Sequence, residues 1–205
     1  MAIVSDEQVI KVLRQYNPWW RNPLAIKEEN KPQKRLAYYE ALRMISHKTI
    51  RRFAVLSGAR RVGKTTIMYQ MMNSLIDEGV NPKNILYVSF DNPIVKLVNV
   101  ETVLSIYESL YPIEGTRYIF LDEIQFVGRK KTQSNPDIYV TFYDILNGLI
   151  EKGNADIYVT GSNSKMLSKD VVTEFRGRGD ELHIAPLSFQ EYYSFTGGSK
   201  EEAFS

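Results

Sequence analysis

Residues 58–65 read Gly58-Ala59-Arg60-Arg61-Val62-Gly63-Lys64-Thr65, and they follow the apolar run Phe53–Leu56. The spacing is G-x-x-x-x-G-K-[ST], and its position constrains the fold more than its letters do. Backbone N–H groups converge on an anion only where a strand delivers the chain and a helix begins at the lysine. Both conditions are met here, because a helical stretch from Lys64 to Glu78, closed by Gly79, follows directly. Gly58 and Gly63 permit close backbone approach. Lys64 supplies a point charge for β- and γ-phosphates, and Thr65 offers a hydroxyl to Mg²⁺. The main chain of Ala59, Arg60, Arg61, Val62 and Thr66 completes the cradle. A plain glycine-rich turn is the weaker reading, since it explains neither flank.

From residue 51 onward, strand and helix signals alternate, which predicts a parallel sheet covered on both faces. The expected strands are Arg51–Leu56, Ile85–Phe90, Tyr118–Leu121, Asp156–Thr160 and Glu181–Ala185. Between them lie expected helices at Lys64–Glu78, Val100–Leu110, Ile138–Glu151 and a short stretch over Ser164–Phe175. Val127–Asp137 reads as a polar loop. Ser188-Phe189-Gln190-Glu191 carries a capping signal for a last helix. Upstream, Ser5-Asp6-Glu7-Gln8 is a capping box that opens a helix ending near Asn17-Pro18. Residues 17–33 read as an ordered but irregular connector. A second helix is expected over Lys34–Ser46, with Leu36, Tyr39, Leu42 and Ile45 as its apolar face. The chain therefore divides into a helical N-terminal extension (1–47), a core (48–196), and the start of a truncated C-terminal region (197–205), with Gly197-Gly198 as a hinge.

Further chemistry sits at the expected strand ends. Tyr118-Ile119-Phe120-Leu121 runs into Asp122-Glu123. In a parallel sheet the carboxyl ends of strands face the ligand crevice, so Asp122 is expected beside Lys64 and Thr65 as an Mg²⁺ holder. Glu123 is expected to polarise an attacking water. The fourth strand runs out through Thr160-Gly161 into Ser162-Asn163, small polar side chains suited to touching a γ-phosphate or the water, Ser162 ahead of Asn163. Arg176-Gly177-Arg178-Gly179 precedes strand five, and Arg178, ahead of Arg176, is the candidate charge-neutralising arginine. Trp19 and Trp20 invite comparison with an adenine-stacking pair, but packing of the N-terminal segment on the sheet is the stronger reading. His183 reads as a packed histidine, and Arg129-Lys130-Lys131 as a solvated charge run.

Composition narrows the class. There is no cysteine, which excludes disulfides, thiolate metal sites and a cysteine nucleophile. A net charge of +2 does not by itself argue for nucleic acid. No signal peptide and no run of ~20 apolar residues is visible, so a cytoplasmic location without membrane contact is expected.

Together the motifs resemble the AAA+ superfamily, and more narrowly the bacterial and archaeal group of predicted ATPases with an AAA-type core and a C-terminal domain of unknown function. The stretches that carry this are Leu56 through Thr66, Tyr118 through Gln125, Val159 through Ser164, and Pro186-Leu187-Ser188-Phe189-Gln190-Glu191-Tyr192. The resemblance implies an α/β P-loop NTPase fold with a parallel five-stranded sheet of order 5-1-4-3-2. It implies Ser162 or Asn163 as the polar γ-phosphate sensor and Arg178 as the finger. It further implies ATP and Mg²⁺ as ligands and a C-terminal domain of the same chain as partner; a second copy of the chain and nucleic acid are candidate partners. The expected function is an ATP-binding, Mg²⁺-dependent ATPase module coupled to a partner or C-terminal domain. The alternative is a non-hydrolysing ATP-dependent switch controlling assembly or DNA contact. A small-molecule kinase lacks a signalled acceptor pocket, and a GTPase lacks an Asn-Lys-x-Asp element.

Overall fold

The computed structural model describes residues 4–46, 53–124, 130–131, 139–140, 142–151, 154–161 and 179–197. Five strands form its central sheet: β1 (Phe53–Ser57), β2 (Ile85–Ser89), β3 (Arg117–Asp122), β4 (Ala155–Gly161) and β5 (Gly179–His183). All neighbours are parallel, in the order β2-β3-β4-β1-β5, which is the order of a P-loop NTPase. β1 and β2 are buried along their whole length, as expected for strands covered on both faces. Register places Ser57 opposite both Gly161 and His183, and Ser89 opposite Asp122. The carboxyl ends of all five strands are thereby drawn to one edge of the sheet.

The helices follow the sequence closely. α1 (Asp6–Tyr16) starts in the Ser5/Gln8 capping box. Two 3₁₀ turns and the short α2 (Ile26–Glu29) form the connector, and α3 (Leu36–Ser46) follows. α4 (Lys64–Asp77) buries Ile67, Met68, Met71, Met72 and Leu75 against the sheet. α5 (Val100–Leu110), α6 (Phe142–Glu151) and α7 (Phe189–Thr196) complete the set. α7 opens in a full capping box between Ser188 and Glu191 and closes at Gly197 in the left-handed region, φ 78°. Among the described residues no helix is long and apolar enough to cross a membrane.

Three local expectations are corrected. On α3, among the residues whose side chains are described, Tyr38 and Ala41 are buried, while Leu36 and Tyr39 are 69% and 51% exposed; Ile45 lies outside them. Spacing by three drifts around a helix of 3.6 residues per turn, so the proposed stripe crossed faces. The 127–137 loop is not wholly irregular: Lys130–Lys131 pairs antiparallel with Tyr139–Val140, and α6 starts at Phe142 instead of Ile138. His183 is exposed, not packed, and its Nδ1 lies 3.1 Å from the Ser57 hydroxyl.

The N-terminal segment is welded to the sheet by polar contacts. Asn17, 1% exposed, works like a one-residue strand. Its Nδ2 donates to the Tyr87 carbonyl at 2.8 Å, and its Oδ1 accepts from the Tyr87 N–H at 2.6 Å. Trp19 and Trp20 both donate Nε1–H to the Ile85 carbonyl, at 3.1 and 2.8 Å. Ile85 begins β2, so the tryptophans lie at the opposite end of that strand from the Gly58–Thr65 edge. Both are buried there as packing residues, the stronger of the two expectations. At the other end of the segment, the Arg35 guanidinium donates to both Glu191 carboxylate oxygens at 3.0 Å, to the Val62 carbonyl at 2.8 Å, and to the Ala185 and Pro186 carbonyls.

Asn17→Ala leaves a buried N–H and C=O of β2 unsatisfied and is expected to cost about 3 kcal/mol in a denaturant titration. Hydrogen bonding from Arg35, the largest cause, holds the Glu191 carboxyl down at about 2, below its ordinary 4.5. A depressed carboxylate stabilises the fold fully above pH 4.5 and loses that contribution as pH falls toward 2. The stability gap between wild type and Glu191→Gln should therefore be widest above that window and close across it, read as paired denaturation midpoints against pH.

Candidate active site

The chain leaves β1 into a loop whose geometry only its glycines allow. Gly58 sits at φ 139°, and a Cβ there would collide with the Ile184 carbonyl oxygen. That crowding follows from β5 lying alongside, where the Ile184 N–H donates to the Ser57 carbonyl at 2.8 Å. Gly63 caps α4 at φ 97° and provides no side-chain partner for the first-turn N–H groups. Such an uncapped N-terminus leaves donors for an anion, which fits a phosphate. Lys64 is buried and folds back, its Nζ donating to the Gly58 and Ala59 carbonyls at 3.0 and 2.8 Å. Burial pushes its ammonium below the ordinary lysine range, against the opposing pull of Glu123 and Asp122.

Asp122 stands at the tip of β3 with its carboxylate gripped from three elements. Oδ2 accepts from the Thr65 hydroxyl at 2.8 Å and from the Tyr87 hydroxyl at 2.9 Å. Oδ1 accepts from the Thr160 hydroxyl, whose oxygen in turn accepts the Glu123 N–H at 3.0 Å. Burial and the adjacent Asp122 raise the Tyr87 phenol far above its ordinary range, so it remains a donor. Glu123 itself turns into the left-handed region, φ 53°, as does Arg61 in the loop, φ 65°. Non-glycine residues held there cluster where function fixes the backbone. A hydroxyl and a carboxylate 2.8 Å apart are hard oxygen donors and fit Mg²⁺, which keeps several waters and takes few protein ligands.

Beside the loop opens a cavity of about 620 Å³. Loop residues 59–63 form one wall, Gln33 and Arg35 of the N-terminal segment a second, Gln70 of α4 a third, and Pro186, Leu187 and Phe195 the last. Gln70 is held by donating to the Lys31 and Gln33 carbonyls, both at 2.8 Å.

Of the residues singled out from sequence, Gly58, Ala59, Arg60, Arg61, Val62, Gly63, Lys64, Thr65, Thr66, Asp122 and Glu123 come together at this edge. Ser162, Asn163 and Arg178 lie outside the described residues, as do Arg176 and the stretch 164–175; β4 does end beside β1, at Gly161 opposite Ser57. Three residues escaped the sequence reading. Thr160 was passed over for the two polar residues just beyond it. Tyr87 was hidden in an apolar strand, where only the i, i+2 phase linking it to Ser89 hinted at the crevice. Arg35 gave no local signal at all.

A family model described as an AAA domain matches residues 51–193, well over half of the chain. The chain belongs to the AAA domain family. This AAA chain is 34% identical over 141 residues to an uncharacterized protein of Haemophilus influenzae, covering 67% of itself and 32% of that protein. It is 28% identical over 151 residues to an uncharacterized protein of Methanocaldococcus jannaschii, covering 74% of itself and 30% of that protein. The chain thus spans about a third of the length of the curated relatives it matches. Among solved structures, S. cerevisiae Hsp104 in its casein complex superposes with a TM-score of 0.57 at 16% identity, covering 88% of this chain and 32% of that one. At that identity the likeness speaks for the fold. Family and fold together make this a nucleotide-binding module of the ATPase type.

Thr160→Val should cost about 2–3 kcal/mol, because it removes a donor to a buried carboxylate and orphans the Glu123 N–H. Tyr87→Phe removes only one donor and should cost about half as much. Chemical denaturation of the two variants side by side checks the ranking.

Proposed function

We propose that this AAA module binds ATP with Mg²⁺, hydrolyses it to ADP and phosphate, and couples that cycle to a partner or to a further domain of the longer protein. The observation that carries the reading is the meeting of Lys64, Thr65 and Asp122 at the mouth of a loop whose helix has no side-chain cap. The triphosphate lies along Gly58–Thr66, with Lys64 exchanging the Gly58 and Ala59 carbonyls for phosphate oxygens. Base and ribose occupy the neighbouring cavity, whose walls combine apolar Pro186, Leu187 and Phe195 with polar Gln33 and Gln70.

Thr65 and Asp122 are the residues that would hold the metal. Magnesium, when bound, neutralises charge on the phosphate oxygens. Glu123 orients a water, whose oxygen attacks the γ-phosphorus as the bond to the β–γ bridging oxygen breaks. The water's proton passes toward the Glu123 carboxylate. Ser162 and Asn163, one or two residues past the end of β4, are the candidates to touch the γ-phosphate, and Arg178 to neutralise its developing charge, in cis or from a second copy.

Phosphate release from ATP by the full-length protein should fall at least about a hundredfold in Glu123→Gln, with nucleotide still bound, since general base and water-orienting groups are worth about that much. Lys64→Ala should lose binding itself. Equal turnover by wild type and Glu123→Gln removes Glu123 from the chemistry. Binding without release in wild type points to an ATP-dependent switch.

A further inference from the structure

We propose that Arg35 is a positioning residue that couples the conformation of the nucleotide loop to the docking of α7, and through Gly197 to the chain that follows. The inference rests on the nucleotide-binding reading of Gly58–Thr65 and goes beyond it by naming where the occupancy of that loop is read.

The clamp joins three segments that are distant in sequence. Arg35 presents a planar fork of five N–H donors, and carboxylate and carbonyl acceptors surround it. Nε and Nη2 engage the Glu191 carboxylate side-on, both at 3.0 Å. Nη1 donates to the Val62 carbonyl at 2.8 Å, and Nη2 reaches the Ala185 and Pro186 carbonyls at 3.0 and 3.2 Å. The guanidinium is 11% exposed and Glu191 is 21% exposed, so the pair is largely shielded from competing water.

Each end of the clamp touches a part that can move. Val62 precedes Gly63, whose positive φ delivers the chain into α4. Lys64 holds two other carbonyls of the same loop. An entering phosphate draws Lys64 away from them, so the loop must redistribute its hydrogen bonds, and the Val62 peptide lies within the span that adjusts. At the far end, no residue of α7 is buried, and Phe189 and Tyr192 are 62% and 56% exposed. An element with so little apolar burial belongs to the low-stability end of a fold, where a polar clamp decides its position. Glu191 serves that helix twice, because it also closes the capping box by accepting the Ser188 N–H at 3.0 Å. Movement at Val62 is thus passed by one guanidinium to the first turn of α7. Phe195 carries the same helix back to the cavity wall.

Coupling of this kind is reciprocal: if nucleotide favours docked α7, a variant that undocks α7 must bind nucleotide more weakly, by up to the same factor. Glu191 does not line the cavity, so an effect of Glu191→Gln on affinity is indirect, carried by Arg35 or by α7 itself through Phe195, and Arg35→Lys tests the first of these routes with Glu191 left in place. Glutamine keeps the capping acceptor and the side-chain shape, which protects the fold of α7.

The test is amide hydrogen exchange over residues 186–197 of the full-length protein, with and without saturating ATP or ADP. Fluorescent-nucleotide titration runs in parallel on wild type, Glu191→Gln and Arg35→Lys. In wild type, nucleotide should slow exchange over this segment by about fivefold or more, the low end of a typical coupling. Both variants should lose most of that nucleotide-dependent ratio at saturation, and Glu191→Gln should weaken nucleotide affinity by up to that factor. A purely structural clamp would raise exchange equally with and without nucleotide and leave the ratio intact; that result overturns the proposal. So does wild type that binds nucleotide with unchanged exchange over 186–197. Absence of nucleotide binding in wild type instead sinks the ATP-binding reading, and the coupling with it.

Discussion

A buried carboxylate with donors converging from separate elements is the interaction on which this crevice closes. Asp122 is 3% exposed, and a charge so placed survives only when hydrogen bonds replace the lost water. Thr65 brings α4, Tyr87 brings β2, and Thr160 brings β4. That set of partners exists only in the observed strand order, with β3 between β2 and β4. A slip of one residue in either register would turn Tyr87 or Thr160 to the opposite face of the sheet. The same bonds that make the carboxylate tolerable therefore fix the relative height of three strands and the first turn of a helix.

The N-terminal segment holds the sheet at both ends. Trp19 and Trp20 fasten to the start of β2, Asn17 pairs with its middle, and Arg35 reaches the opposite edge beside the phosphate loop. Most of these contacts end on backbone carbonyls. They place the segment without demanding particular side chains from the core, and they satisfy polar groups that would otherwise be stranded under it. The cavity wall contributed by Gln33 and Arg35 is a product of that fastening.

The parts of this architecture legible in the sequence were those written locally. Gly58 through Thr65 announces its own strand, loop and helix because neighbours in the chain are neighbours in space. The capping boxes at Ser5 and Ser188 were readable for the same reason, and the limits of α5 fell where expected. Strand order came only with the family resemblance, since alternation of strand and helix leaves several parallel orders open. The α3 face was misread because aromatic and aliphatic residues occur all around that helix, and burial was decided by what it meets: Tyr38 reaches Ser74 of α4. Arg35 was invisible because its partner Glu191 lies 156 residues away, and an arginine in a charged connector looks solvated until the chain folds.

Asn17 has a further consequence at the margin of the sheet. β2 is an outer strand, and an outer strand normally offers a ladder of unused N–H and C=O groups to any chain that passes. A primary amide occupies the middle of that ladder, mimicking one residue of a neighbour while preventing a real neighbour from docking. At the opposite margin, β5 is five residues long and carries Asp180 and Glu181, a short acidic border of the kind that discourages edge-to-edge association. Among the described residues, addition of a foreign strand is thus blocked on the β2 side by Asn17 at Tyr87 and by Trp19 and Trp20 at the Ile85 carbonyl, and discouraged on the β5 side by a short, charged border.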